Sequence, residues 1–233
     1  MPLFRWFRKE FDKDDEAEAD KGRPETAKEK LDRLVRPARR DERMLVEFAR
    51  ELLRAGECAW DLGPDRGYFA AAAAILCGPS GAVTAVEPNP KRAAALRDVA
   101  ENLGRNVARI EVLETGTGDR IVLGDTAAAL PRQVNFEWLI RKQRRPHVVR
   151  VSLAMSDGRL WSGAERLMGE VRPILLFEVQ PAIVQALGRR LRHHGYEIFD
   201  AEKNPSDRLR LVDPVRYTLA MPITTARDED REV

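Results

Sequence analysis

Cysteine is scarce in this chain of 233 residues: there are two, Cys58 and Cys77, both among apolar neighbours. Two such residues cannot build a disulfide framework, and they suit a reducing, cytoplasmic setting in which each is a small core residue. Histidine is nearly as rare. Of His147, His193 and His194, the last two are adjacent at the end of a helical stretch and point in different directions, so no metal site is expected. No apolar run approaches the ~20 residues needed to cross a bilayer. The N-terminal MPLFRWFRKEF sets aromatics between basic residues but lacks the apolar stretch of a signal peptide. It reads as a frayed terminus, or as a weak contact with a membrane surface or partner. Excess charge of one sign is also missing. Forty Lys and Arg against 38 Asp and Glu leave a formal +2, which makes no general case for nucleic acid. What is present is 43% apolar residues, enough for one core, and no internal repeat.

Residues 10–43 are dense in charges of both signs and poor in large apolar side chains. They predict a disordered or partly helical arm, which sets the expected organisation as arm 1–43, domain 44–222 and polar tail 223–233. Order is expected from Met44, where Met44, Leu45, Phe48, Leu52 and Leu53 form one helical face before Gly56. Strands are then predicted at 58–62, 82–87, 107–113, 147–153, 174–179, 196–201 and 216–221, with helices between the first several. That alternation predicts a doubly wound, mostly parallel seven-stranded α/β sheet with helices on both faces. The last two strands are expected to pair antiparallel.

The richest stretch is AWDLGPDRGYFAAAAAILCGPSGAVTAVEPN, residues 59–89. Asp61 closes an apolar strand, Gly63 and Gly67 follow, an alanine-rich helix comes next, and a second strand ends on Glu87. Glycine lets a backbone approach a ligand closely, the helix offers unpaired N–H groups, and a carboxylate at a strand tip accepts from a ribose diol. A dinucleotide site would need G-x-G-x-x-G. Here one glycine is missing, and Asp65 places negative charge where a pyrophosphate would lie. A cationic nucleoside without phosphate fits better, and S-adenosylmethionine is one: Asp61 would face its ammonium and Glu87 its ribose.

DLGPDRGYFAAAAAILCGPSGAVTAVEPNP resembles motif one through the second strand of the FkbM-type methyltransferases. There an Asp-x-Gly-Ala-Asn-x-Gly-Tyr/Phe loop leads to Gly-x-Val-x-Ala-Phe/Val-Glu-Pro-Asn/x-Pro. The likeness extends more loosely over 44–222, through GAERLMGEVRPILLFEV and HHGYEIFD. It implies a class I methyltransferase fold that uses S-adenosylmethionine, typically to O-methylate sugars or related small molecules. By that resemblance Asp61, Gly63, Asp65, Gly67 and Tyr68 line the methionine end. Glu87, Pro88 and Asn89 surround the ribose, and Thr115 and Gly116 lie near the adenine.

The reacting end departs from that pattern. Where the family has Lys-Ile-Asp-Val-Glu-Gly-x-Glu, this chain has Arg150, Val151, Ser152, Leu153, Ala154, Met155, Ser156 and Asp157. Arg150 keeps a positive charge and Asp157 an acid, so Arg150, Ser152 and Asp157 are the catalytic candidates. Two carboxylates that could take a proton are gone, and serine is no general base unaided. Two readings follow: an O-methyltransferase for a small hydroxylated acceptor, or a degenerate cofactor-binding scaffold. RNA methylation is a distant third, resting on Arg141, Lys142, Arg144 and Arg145, which this fold is expected to set beside the substrate, with Phe136 and Trp138 as a stacking surface. Glu178, ending the fifth strand, either faces the site or caps the next helix.

Overall fold

The structure is a computed structural model that describes residues 25–118, 133–156 and 158–223. The N-terminal aromatics, the first part of the expected arm, Asp157 and almost all of the tail lie outside the described residues.

One helix precedes the expected start of the domain at Met44, and a second straddles it. Helix α1 (Ala27–Val35) opens with a capping box: Thr26 Oγ1 accepts from the Glu29 N–H at 3.3 Å and the Glu29 carboxylate accepts from the Thr26 N–H at 2.7 Å. Helix α2 (Arg40–Leu52) begins similarly, the Glu42 carboxylate accepting from the Arg39 N–H at 2.7 Å. Leu31, Leu34, Ala38, Val46, Phe48 and Ala49 are all buried in the core. Helical structure and buried side chains thus begin before Met44, from Ala27 onward. Average composition hid a narrow stripe, Leu31, Leu34 and Val35, whose spacing puts three apolar side chains on one helical face. Even Lys30 is drawn in, its Nζ donating to the Leu103 and Arg105 carbonyls at 2.9 and 2.5 Å. Arg208 holds α2 from the far side, over the Phe48 ring at 5.5 Å and 3.0 Å from Glu51 Oε2.

The need for these helices lies in α3 (Tyr68–Cys77, YFAAAAAILC). It has no polar face, and nine of its ten residues are buried. A helix apolar all round must be covered all round. The sheet covers one side of α3, and α1, α2 and α4 (Pro90–Asn102) supply residues of the same core on the other.

The main sheet has the order β3-β2-β1-β6-β7-β10-β8-β9. Its strands are β1 (Cys58–Leu62), β2 (Ala82–Val86), β3 (Arg109–Leu113), β6 (Val148–Val151), β7 (Ile174–Glu178), β8 (Tyr196–Asp200), β9 (Arg210–Leu211) and β10 (Tyr217–Pro222). Strands β3 to β7 of that row are parallel, while β10 runs antiparallel between β7 and β8. All seven expected strands are present, and β9 adds a two-residue eighth at the edge. Strands β4 (Gly116–Thr117) and β5 (Gln133–Val134) form a separate parallel pair. The second face is covered by α5 (Phe136–Lys142), α6 (Gly158–Ser162), a π-helical turn (Leu167–Val171) and α7 (Val184–His193). Trp161 packs there between Phe136 and Phe177, with ring centroids 6.0 and 5.0 Å away.

If α1 is part of the core, Leu34→Ala lowers unfolding stability by about 2–5 kcal/mol in urea. A change within ~0.5 kcal/mol, as for a surface site, would return the segment to a loose arm.

Candidate cofactor site

The chain leaves β1 toward β2 on one side, while β6 lies against β1 on the other and continues to β7. This is the switch point of an open α/β sheet, and ligands bind in the crevice at the carboxyl ends there. Asp61 is the fourth residue of β1, and Glu87 directly follows β2. Between β1 and α3 the chain bends tightly: Gly63 N–H donates to the Val86 carbonyl at 2.9 Å and Gly67 N–H to the Pro64 carbonyl at 2.8 Å. Gly63, Asp65 and Gly67 have φ of +75°, +54° and +80°.

The two glycines answer to contacts within the chain as well as to the expected ligand. A Cβ on Gly63 would stand 2.1 Å from Ser152 Oγ and 2.7 Å from Met155 Cγ, and one on Gly67 would stand 2.6 Å from Leu96 Cδ1. The close approach these glycines permit is that of the chain's own side chains, combined with left-handed backbone. Ser152 and Met155 belong to a turn after β6. The Ser152 N–H donates to the Leu62 carbonyl, and the Ser152 carbonyl receives the N–H groups of Met155 and Ser156 at 3.0 and 2.9 Å. Ser156 Oγ accepts from Trp161 Nε1 at 2.9 Å, which anchors the turn. Met155 Sδ lies 4.0 Å from Thr117 Oγ1.

Asp61 is fully buried. Its Oδ1 accepts from Arg150 Nη1 at 3.1 Å, and the same nitrogen donates to the Gly63 carbonyl at 2.6 Å. Strand register sets this pair, Asp61 standing directly beside Arg150. Arg150 is itself 6% exposed, and in this position it is a strut between two strand tips. Asp61 Oδ2 is buried and finds no hydrogen-bond partner among the described residues. Burial pushes this carboxyl up, against the pull of the Arg150 guanidinium and of the Ala70 N–H in the first turn of α3. An unpaired buried carboxylate oxygen costs free energy, and a bound donor would remove that cost.

Glu87 is 3% exposed and its Oε1 accepts from the Asn89 N–H at 2.9 Å. Burial raises its pKa, opposed by that N–H and by Arg92. Asn89 caps α4, its Oδ1 accepting from the Lys91 and Arg92 N–H groups at 3.0 and 3.2 Å, and Pro88 beside it is exposed. Asp65 is also exposed, 3.6 Å from Arg92. Tyr68 and Thr115 are buried, and Gly116 begins β4. The structure thus gathers Asp61, the bend and Glu87 around one crevice, with Ser152 over Gly63.

Elsewhere the expectations change. Arg144 donates to the Ser80 carbonyl at 2.9 Å and its own carbonyl accepts from Trp60 Nε1 at 3.0 Å. Ser80 precedes β2, so this basic cluster lies at the amino ends of the strands, opposite the crevice. Phe136 is buried, which leaves it no role as a stacking surface. His147 Nδ1 accepts from the Cys58 N–H at 3.0 Å, a structural contact at the same far end. Glu178 stands in register with Tyr217 of β10. Among the described residues no group of His, Cys, Asp and Glu is placed to hold a metal. Sequence reasoning missed Glu42 and Arg66, whose side chains meet at 2.5 Å beside the bend. The available signal was a Glu at the third position of α2, in a first turn that lies before the expected helix start at Met44.

No family model matches the chain, and no curated protein matches it. Solved structures do. It is similar to an S-adenosylmethionine-dependent O-methyltransferase of Thermotoga maritima at 15% identity, covering 78% of this chain and 65% of that one, with a TM-score of 0.48. It is similar to the methyltransferase FkbM of Methylobacillus flagellatus at 15% identity, covering 82% and 57%, with a TM-score of 0.45. A methyltransferase of Aquifex aeolicus shares 14% identity over 82% and 95%, with a TM-score of 0.47. The fold is α/β: a mostly parallel sheet between two helical layers, in which β10 and the short edge strand β9 run reversed.

Gly63→Ala is expected to destabilise by about 3 kcal/mol or more, through strain and overpacking together. Gly56→Ala, where φ is +86° and the nearest atom is Ser80 Oγ at 3.6 Å, costs about 1 kcal/mol. Equal losses in urea would mean that Ser152 and Met155 do not seat on Gly63. For Glu87 the linkage has a definite sign. A raised folded pKa gives stability that is full below the ordinary value of 4.5 and is lost as pH rises through the folded value. Glu87→Gln should therefore be more stable than the unmutated protein at pH 7, with the difference fading toward pH 4. A gap that does not change with pH would contradict the buried setting of this carboxylate.

Proposed function

We propose that the chain is an S-adenosylmethionine-dependent methyltransferase whose acceptor is a small hydroxylated molecule, a sugar or a relative. The observation that carries the reading is Asp61 at the switch point, fully buried with Oδ2 unpaired, across the bend from buried Glu87. A cationic amine is a fitting donor for such an oxygen, since it brings both hydrogen bond and charge. Glu87 then receives the ribose diol, and the backbone of the bend lies between the two. The resemblance to FkbM-type sequences around residues 61–90 points the same way.

When bound, the cofactor supplies a sulfonium methyl that is already strongly electrophilic, so holding the acceptor in line supplies much of the acceleration. The chain's own part is to bind and orient. Arg150 neutralises half of Asp61 and holds the Gly63 carbonyl, fixing the tip of β1 against the tip of β6. Ser152 offers a hydroxyl at that tip to position an acceptor oxygen, and Asp157, three residues after Ala154, supplies the carboxylate that would take the acceptor's proton.

A second reading has its own support. Arg150 is consumed by Asp61, Ala154 is apolar, and Met155 packs on Gly63. These favour a domain that keeps the nucleoside pocket without efficient transfer. RNA as acceptor loses its motive, because the Arg141–Arg145 cluster lies away from the crevice.

S-adenosylhomocysteine is expected to raise the melting temperature of the purified protein, by a shift equivalent to about 2.7 kcal/mol at a hundredfold excess over Kd. Glu87→Ala removes that shift. A flat response in the unmutated protein would reject both readings. Labelled methyl transfer from S-adenosylmethionine to extracted glycans and small hydroxylated metabolites, with none in Asp157→Asn, would then favour the enzyme over the scaffold.

A further inference from the structure

We infer that Glu42 and Arg66 are positioning residues: their ion pair makes helix α2 part of the glycine bend and fixes the shape in which the bend meets a nucleoside. The clause about the nucleoside rests on the function proposed above. The clause about the bend rests on contacts alone.

Three of the five residues from Gly63 to Gly67 have left-handed backbone. For Asp65 that conformation is uncommon and costs free energy, so the surrounding structure must impose it. Two charged contacts grip the bend from outside. Asp65 meets Arg92 of α4 at 3.6 Å, but the two side chains are 64% and 56% exposed, and such pairs contribute little. Arg66 meets Glu42 of α2 at 2.5 Å with side chains only 19% and 9% exposed. The guanidinium also lies over the Tyr68 ring at 5.6 Å. Burial decides between the two contacts: the grip that matters comes from α2.

Glu42 is committed on both oxygens. Oε1 takes Arg66, and Oε2 takes the Arg39 N–H that opens α2, at 2.7 Å. The carboxylate that starts the helix therefore also ties the helix to the bend. Lys30 ties the N-terminal helices to the carbonyls that follow α4, at the amino ends of the strands, so the grip on the bend itself is that of Glu42. A charged segment that looks dispensable by composition is thereby coupled to the one loop on which the site depends.

The test uses the full chain, calorimetric titration with S-adenosylhomocysteine, and hydrogen exchange of residues 63–68 without ligand. Arg66→Met removes the pair and leaves the helix cap intact. Glu42→Gln keeps a carbonyl oxygen for the Arg39 N–H and loses the charge. Each is expected to speed exchange at the bend and to raise Kd about tenfold, as coupled neighbours do. The double variant should be no worse than either single one, and Arg92→Met should match the unmutated protein. Unchanged exchange at the bend in both single variants overturns the inference, even if Glu42→Gln melts earlier, because that pattern is helix capping alone. Faster exchange in Arg66→Met, in a protein that never binds S-adenosylhomocysteine, supports the grip and rejects the nucleoside reading instead.

Discussion

Helix α3 has nowhere to show water. Five alanines, an isoleucine, a leucine and two aromatics in ten residues leave no polar stripe, so burial on every side is the constraint that the rest of the fold meets. The sheet covers the inner side and the N-terminal helices the outer. Small alanine side chains let these layers approach closely, and that closeness carries α2 to the bend that starts α3. One apolar helix thus sets both the thickness of the core and the place where Glu42 reaches Arg66.

The crevice above α3 combines two kinds of economy. Strand register places Arg150 beside Asp61, and one guanidinium nitrogen serves both that carboxylate and the Gly63 carbonyl. The tips of β1 and β6 are locked together with a single oxygen left over, Asp61 Oδ2. Buried unpaired groups are rare enough in folded proteins to point to a ligand, and here the unpaired group sits at the switch point. The turn after β6 acts in the other direction. Ser152 and Met155 fill the surface of Gly63, so the same strand tip that holds Asp61 also closes over the bend.

Legibility differed by element. The strands at 58–62, 82–86, 174–178 and 196–200 were readable because each is a short apolar run bounded by turn residues, and their alternation with helices fixed a parallel order. Asp61 and Glu87 were readable as strand-tip acids. Helix α1 was not, because its three apolar residues are diluted by lysine, glutamate and arginine, and averaging over the segment erased their spacing. The all-apolar α3 held a further clue: a helix with no polar face needs cover on every side, and the expected helix from Met44 supplies only part of what α1 and α2 together provide.

By itself, the sequence determined the layer order, the switch point and the two acids that border it, since those follow from local periodicity and from residues at strand ends. Tertiary structure alone decided which groups remain available. Arg150 is spent on Asp61, Gly63 is spent on Ser152 and Met155, and the Arg144 cluster lies at the opposite edge, because strand register and crossover direction bring together residues far apart in the chain, 89 positions in the case of Asp61 and Arg150. No local pattern encodes such pairings; they arise when buried charges and close-packed glycines must find partners in a shared interior.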